Sequence, residues 1–395
     1  MKKIFTSYTV TTGLAVFAMF FGAGNLIFPL VAGMQSGNQT PIAMVGFFIT
    51  AVFLPLIGLI AMILFEGNYE QFFNRIGHTA GAICIWSCMM IIGPLIVIPR
   101  ITTVSHEMIS PFIPIDALKP ITPLTSFLFA LFFLSLTYII THREKTIIEI
   151  LGNILSPIKL ITLTVIFFKG LWSAQTIIQN TEPTIEIFKS NLLLGYQTLD
   201  LIGALFFASI ILHILKKTLG HDITSQPRAL AWIALKAGLI GVSLLGIVYI
   251  AMSIVGAYHG HGCQDVNAGG LFREVCFKIL GSYGTALFGI AIAMACLSTA
   301  IALSAIVAEY TQLIIFKNRI GFSTSLLLIL IACIPLSTVG LGKIIEYTGG
   351  PITYIGYPVL ITITLCNLAY KLFGFKPIKV PVLATLILAC ISYLS

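Results

Sequence analysis

Apolar runs of membrane-crossing length follow one another along this chain with almost no charge inside them, and that pattern limits its folds more than any other feature. A hydrocarbon core of about 30 Å takes roughly 20 residues of helix. Such runs are read at 8–33, 41–65, 80–103, 122–141, 155–173, 199–215, 229–256, 283–314, 321–338, 351–372 and 379–394. They predict an all-α integral membrane protein of about eleven transmembrane helices, since lipid leaves backbone polar groups to be satisfied internally. The third run is the least regular, interrupted by Gly93-Pro94 and by Pro99-Arg100, and the last is short enough to lie along the interface. Water-soluble chains carry about 25% charged residues. This one is 58% hydrophobic and 9% charged, with a mean hydropathy of +1.03, which excludes a soluble domain.

The net charge of +8 does not point to nucleic acid, because no basic cluster exceeds two adjacent residues. Loop orientation explains it better. With the N-terminus cytoplasmic, the inner side collects fifteen Lys and Arg against seven outside, as the positive-inside bias requires. Met1-Lys2-Lys3 before an apolar run looks like a signal peptide, but the run continues to Val31 without a polar cleavage region and reads as the first span. The eight cysteines show no metal-ligand spacing. Cys263 and Cys276 fall in the predicted outer loop between the seventh and eighth spans, where a disulfide and two free thiols both remain open.

Five spans occupy 8–173 and five more occupy 199–372, joined by a polar outer segment and followed by an extra helix at 379–394. An odd number per half makes the halves run oppositely, so one transmembrane domain over 1–395 would contain two inverted repeats. The repeat rests on span spacing, without residue-level self-similarity. The first span carries Gly22-Ala23-Gly24-Asn25, with Pro29 after it. Gly costs a helix about 1 kcal/mol and Pro about 3 relative to Ala, so the helix is expected to break there. Backbone unwound at that depth is tolerated where it lines a cavity. Its N–H groups suit a carboxylate and its carbonyls a cation. Close helix packing is the alternative for the two glycines. The matching place in the second half is Leu205-Phe206-Phe207-Ala208-Ser209, after Gly203. In the eighth span, Ala295-Cys296-Leu297-Ser298-Thr299 sets two hydroxyls at mid-membrane. With carbonyls near Ala18 and Phe21 they make a five-oxygen cage for a hard cation, unless they simply bond back along their own helix.

FFGAGNLIFP (20–29), IGPLIVIPRITTVSHE (92–107) and ACLSTAIALSAIVAEY (295–310) resemble the branched-chain amino acid carrier family of bacteria. The resemblance runs from Thr12 to about Leu372. It implies a cation-coupled symporter of leucine, isoleucine and valine in the bacterial cytoplasmic (inner) membrane. The family is similar to the amino acid–polyamine–organocation superfamily, whose fold is the five-plus-five inverted repeat of the bacterial leucine transporter, with helices 1 and 6 discontinuous. On that pattern Ala18, Phe21, Ala295, Ser298 and Thr299 take the positions of a sodium site. Gly22, Ala23, Gly24 and Asn25 take those of the substrate carboxylate, and carbonyls near Phe206 and Phe207 those of its ammonium. Two departures stand out: Phe207-Ala208 replaces the family's Phe-Gly pair, and the chain has eleven spans where relatives commonly have twelve.

Charges inside membranes are expensive and often functional. Arg100, Glu107 and Asp200 lie near the outer ends of the third and sixth spans, as an extracellular gate or as interfacial snorkelling residues. Glu309 and His213 lie towards inner ends, and His213 is considered as a proton carrier. Proton-coupled members of the resembled superfamily often place a Lys amine from the fifth helix in the second sodium position. Here that span has Lys159 near one end, Lys169 near the other and an uncharged centre, which predicts sodium rather than protons. The expectation is therefore a sodium-driven importer of branched-chain amino acids working by alternating access. It needs no cofactor, covalent chemistry or obligatory protein partner; its partners are a small amino acid and the lipid bilayer. A proton-coupled carrier of another small neutral or hydrophobic amino acid is the nearest alternative, and an ion channel the alternative from another class.

Overall fold

The computed structural model describes residues 2–113, 115–142, 156–174, 176–219, 227–263 and 268–394, and every regular element among them is helical. The first half contains α1 (Lys2–Phe20), α2 (Ala23–Ser36), α3 (Thr40–Phe48), α4 (Leu54–Leu64), α5 (Tyr69–Asn74), α6 (His78–Met90), α7 (Val97–Ile109), α8 (Pro123–Thr141) and α9 (Ser156–Trp172). Then come α10 (Thr184–Tyr196), α11 (Asp200–Leu219), α12 (Pro227–His259), α13 (Ala268–Tyr310) and α14 (Phe322–Ser337). The chain ends with α15 (Leu341–Tyr347), α16 (Tyr357–Phe373) and α17 (Lys379–Leu394). Among the described residues, seven helical stretches are long and apolar enough to cross a membrane. Three shorter apolar helices, Thr9–Phe20, Phe322–Ser337 and Lys379–Leu394, add to them. The stretch Gly24–Leu64 merges parts of two expected spans, because a tight helical turn at Gly37–Gln39 replaces the loop between them.

Around an apolar core, the molecule also exposes many large apolar side chains and buries several charged and polar ones. Phe132, Trp172, Trp232 and Leu388 are exposed, whereas Asn25, Arg100, Lys159, Asp200 and Tyr249 are buried. Such a surface suits lipid as the outer solvent. α12 packs along both α1 and α2, α13 packs against α7, and α11 against α4. The α2–α12 contact is backbone on backbone. A Cβ at Gly33 would stand 1.8 Å from the Ser253 carbonyl oxygen, and one at Gly256 2.2 Å from that of Leu30. Small residues are what permit so close an approach.

The breaks differ in part from those expected. In the third span Gly93 leaves helical geometry (φ −93°, ψ −117°) directly before Pro94. Pro99 interrupts nothing, because it lies in the first turn of α7, where a missing N–H is harmless. The polar segment before residue 199 holds a helix, α10, packed on α3. The largest correction concerns the sixth span. α11 runs unbroken from Asp200 through Phe206, Phe207 and Ala208 to Leu219. Ala is the best helix former, and no Pro stands nearby to oppose it. The interruption lies instead between α10 and α11, where Leu199 takes a left-handed conformation (φ 63°).

Candidate functional site

The first helix breaks where its glycines begin, and the break is short. α1 ends at Phe20 and α2 starts at Ala23, with Gly22 extended at its N-cap (φ −118°, ψ −161°). Gly24 and Asn25 are therefore already helical. Asn25 Oδ1 accepts from the Gly22 N–H at 3.0 Å and so caps its own helix. The side chain of Ala23 lies outside the described residues. This geometry sets the carbonyl end of α1 beside the N–H end of α2, two termini of opposite polarity.

The carbonyl end meets α13 and α9. Ser298 Oγ donates to Ala295 O at 2.7 Å and lies 3.3 Å from Ala18 O, while Thr299 Oγ1 donates to Phe21 O at 3.1 Å. All five residues read as a cation cage thus come together. The cation among them was not expected. Lys159 of α9 is buried, and its Nζ donates to Ala18 O at 3.1 Å, to Phe21 O at 3.2 Å and to Ser298 Oγ. An ammonium has three N–H donors, and each has an acceptor here. The reading of an uncharged cage beside this helix is corrected, since a four-carbon stem carries the amine away from its Cα. The oxygens have the chemistry for sodium, but an ion held by them would face the ammonium directly. In this geometry the Lys159 amine occupies the space between these oxygens.

The N–H end of α2 meets a different place. A small pocket is lined by Gly22, Gly24, Asn25, Arg100, Thr198, Asp200 and Thr299, with Met19, Phe20, Ile92, Val97, Leu303 and Phe207 among its apolar walls. Asp200, in the opening turn of α11, is 5% exposed. Its Oδ2 accepts from Asn25 Nδ2 at 2.7 Å and from Tyr249 Oη at 2.7 Å, and Asn25 Nδ2 also reaches Tyr249 Oη. Arg100, in the opening turn of α7, is 2% exposed. It donates through Nη1 to Gln197 O at 2.7 Å and through Nη2 to Thr198 O at 3.3 Å. These carbonyls precede left-handed Leu199, so it is the interruption before α11 that presents them.

The three residues read as a gate separate. Arg100 and Asp200 line the cavity rather than snorkel, and Glu107 does not join them. It packs against the start of α13, where a Cβ on Gly269 would stand 2.1 Å from its Oε2. Phe207 reaches the cavity with its ring, edge-on to Phe20, whereas Phe206 turns away to Tyr69 and Phe73. The carbonyls of both lie inside continuous α11, which corrects their reading as ammonium acceptors. Glu309 is exposed, and the side chain of His213 lies outside the described residues. Cys263 and Cys276 are both free thiols. Sequence reasoning missed Tyr249 altogether and dismissed Lys159. A lysine inside an apolar run was the one available signal, and burial of charge is the physical reason to heed it.

Residues 5–395 match the family model described as "Branched-chain amino acid transport protein". Curated relatives include the branched-chain amino acid permease BrnQ of Bacillus subtilis, 30% identical over 95% of this chain and 84% of the relative. A branched-chain amino acid transport system 3 carrier protein of Pseudomonas aeruginosa is 31% identical over 89% and 79%. Among solved structures, a mutant manganese transporter of Eremococcus coleocola superposes with a TM-score of 0.63 at 13% identity, over 99% of this chain and 86% of the other. Mhp1, a nucleobase-cation-symport-1 family transporter, gives 0.57 at 15% over 96% and 91%. A Na+-coupled sialic acid symporter gives 0.51 at 13% over 98% and 89%. At these identities the structures show a shared fold and nothing of substrate.

Proposed function

The chain belongs to the branched-chain amino acid transport protein family, and from that premise we propose that it imports leucine, isoleucine and valine by alternating access, coupled to protons through Lys159. Its relatives are named permeases and carriers rather than enzymes. The observation that carries the proposal is that one interruption, at Phe21–Gly22, faces both the cavity and the Lys159 cage. The apolar walls receive an aliphatic side chain. Such walls separate neighbours differing by one methylene by only about 1–3 kcal/mol, so the three amino acids compete for one site.

In the proposed cycle, protonated Lys159 ties the end of α1 to Ser298 on α13 and holds the cavity's floor in place. Loss of the proton removes one donor and the charge, loosening α1 from α13. The proton is thereby linked to the conformation of the substrate site without touching the substrate. Sodium is the rival coupling ion, favoured by the neutral oxygens of Ala18, Phe21, Ala295, Ser298 and Thr299 and disfavoured by the amine among them.

Uptake of labelled leucine into proteoliposomes under separate ion gradients tests this. Accumulation under an inwardly directed proton gradient, with sodium absent, is the expected result. Accumulation that requires a sodium gradient returns the cage to sodium and rejects the role of Lys159. Absence of saturable leucine uptake under every gradient rejects the transport reading.

A further inference from the structure

Two buried groups of opposite charge face one cavity here without touching each other. Among the described residues the ion pairs are Lys119–Asp116, Lys189–Glu186 and Arg273–Glu274, none of which involves Arg100 or Asp200. Arg100 spends Nη1 and Nη2 on two backbone carbonyls, and its Nε has no hydrogen-bond partner although it is buried. A charged donor left so costs free energy that a ligand would recover. Asp200 is likewise held by neutral donors, the Asn25 amide and the Tyr249 hydroxyl, both on Oδ2. Each side chain is thus hydrogen-bonded to neutral neighbours, and the two attract each other across the pocket without forming a direct ion pair. A closing gate would bring the two into contact; here both line the cavity instead.

The space between them has a chemical shape. On the Arg100 side lies the first turn of α2, where a Cβ on Gly24 would stand 2.9 Å from Arg100 Nη2. First-turn N–H groups lack intrahelical acceptors and favour an anion. On the Asp200 side lie Thr198 and Asn25, and the remaining walls are apolar. The complement of this arrangement is a small molecule with a carboxylate, an ammonium a short distance away and an aliphatic body.

We infer that Arg100 and Asp200 are the zwitterion-recognising pair of this carrier, Arg100 receiving the α-carboxylate of the substrate and Asp200 its α-ammonium. The inference rests on the cavity being the substrate site, as proposed above. It assigns the two charged ends of the substrate to side chains rather than to the carbonyls of Phe206 and Phe207, which α11 keeps. It also makes Asn25 and Tyr249 positioning residues, acting through Asp200.

Equilibrium binding to the purified full-length chain, read by ligand-induced thermal stabilisation, separates the possibilities. The probes are leucine, leucinamide (whose carboxylate is neutralised) and 4-methylpentanoate (which lacks the ammonium). Each analogue is expected to bind the unaltered protein at least about 100-fold more weakly than leucine, because an absent partner leaves a buried charge unpaired. Arg100→Gln should weaken leucine at least about tenfold and bring the leucine-to-leucinamide ratio close to one. Asp200→Asn should do the same for the leucine-to-4-methylpentanoate ratio, and leave the leucinamide ratio in place. Arg100→Lys should restore part of the carboxylate preference. Equal weakening of all three ligands by either variant, or unchanged ratios, overturns the inference. Comparable binding of all three ligands to the unaltered protein overturns it with no variant needed. No binding of leucine to the unaltered protein instead rejects the cavity as the transporter's substrate site.

Discussion

The cage around Lys159 and the cavity between Arg100 and Asp200 share one helix interruption, yet they have opposite finish. In the cage the ammonium has three acceptors for three donors, and Ser298 and Thr299 spend their own protons on Ala295 and Phe21. In the cavity a guanidinium Nε has no partner and two opposite charges stand apart. The difference follows from the polarity of the break. Carbonyls at the end of α1 attract a cation that the chain itself provides, whereas the N–H end of α2 opens on a space the chain leaves unfilled. One region has its hydrogen bonds made within the chain, and the other is the one proposed to receive the substrate. The two remain in contact, since a Cβ at Gly22 would stand 3.1 Å from Thr299 Oγ1.

The most severe test of this contrast is Lys159→Ala. Concentrative uptake should fall to background if Lys159 carries the coupling proton as proposed. Leucine exchange across the membrane should survive, with affinity within about threefold of the original, if cage and cavity are separable. Loss of both together, measured as vanished counterflow in protein that still elutes as one species, would make them a single site. Tyr249→Phe comes next and strikes the cavity alone. It removes one of two donors to Asp200 Oδ2, and a hydrogen bond to a charged group is worth about 1.5–3 kcal/mol. Leucine binding should weaken roughly 10- to 100-fold, while the accumulation ratio at saturating leucine stays unchanged.

What was legible in the sequence was local. Gly22, Gly24 and Asn25 mark a break because they are helix-unfriendly neighbours, and Ser298-Thr299 mark a polar point because the hydroxyls are adjacent in an apolar run. Their meeting with Ala18 and Phe21 was read as a five-oxygen cage and strengthened by resemblance, and the structure brings them together. Lys159 was misjudged because its depth was taken from its Cα position in the run, whereas the amine lies a side chain's length away. Nothing in the seventh span singles out Tyr249; its contacts depend on where α12 passes α2 and α11. Resemblance also misled at α11, where pattern expected a break and Ala208 already argued against it. The interruption moved to Leu199, a residue whose left-handed backbone no composition rule announces.

A smaller effect probes the cage from its own side. Ser298→Ala deletes one of three acceptors of the Lys159 ammonium, a loss of about 1.5 kcal/mol, the low end for a bond to a charged group, or roughly tenfold. Its removal weakens the tie between α1 and α13. Proton-driven leucine accumulation should therefore fall severalfold. The relative affinities for leucine, leucinamide and 4-methylpentanoate should not move. A changed ligand ratio would mean that the cage reads the substrate as well as the proton.

The mildest change asks what the cavity measures once its charged ends are satisfied. Phe207 contributes a ring to the wall, held edge-on by Phe20 at 5.1 Å between centroids. Phe207→Ala removes that ring where α11 is continuous, so the backbone has no reason to shift and the volume passes to the cavity. Bulky amino acids such as phenylalanine should gain relative to valine by about 1 kcal/mol in total, the low end for one methylene-sized step. A severalfold change in competition against labelled leucine is the expected reading. Leucinamide should stay as poor a ligand as before, because Arg100 and Asp200 are untouched. A gain in aromatic substrates together with loss of carboxylate discrimination would show that the ring also positions Arg100, and would join the apolar wall to the charged one.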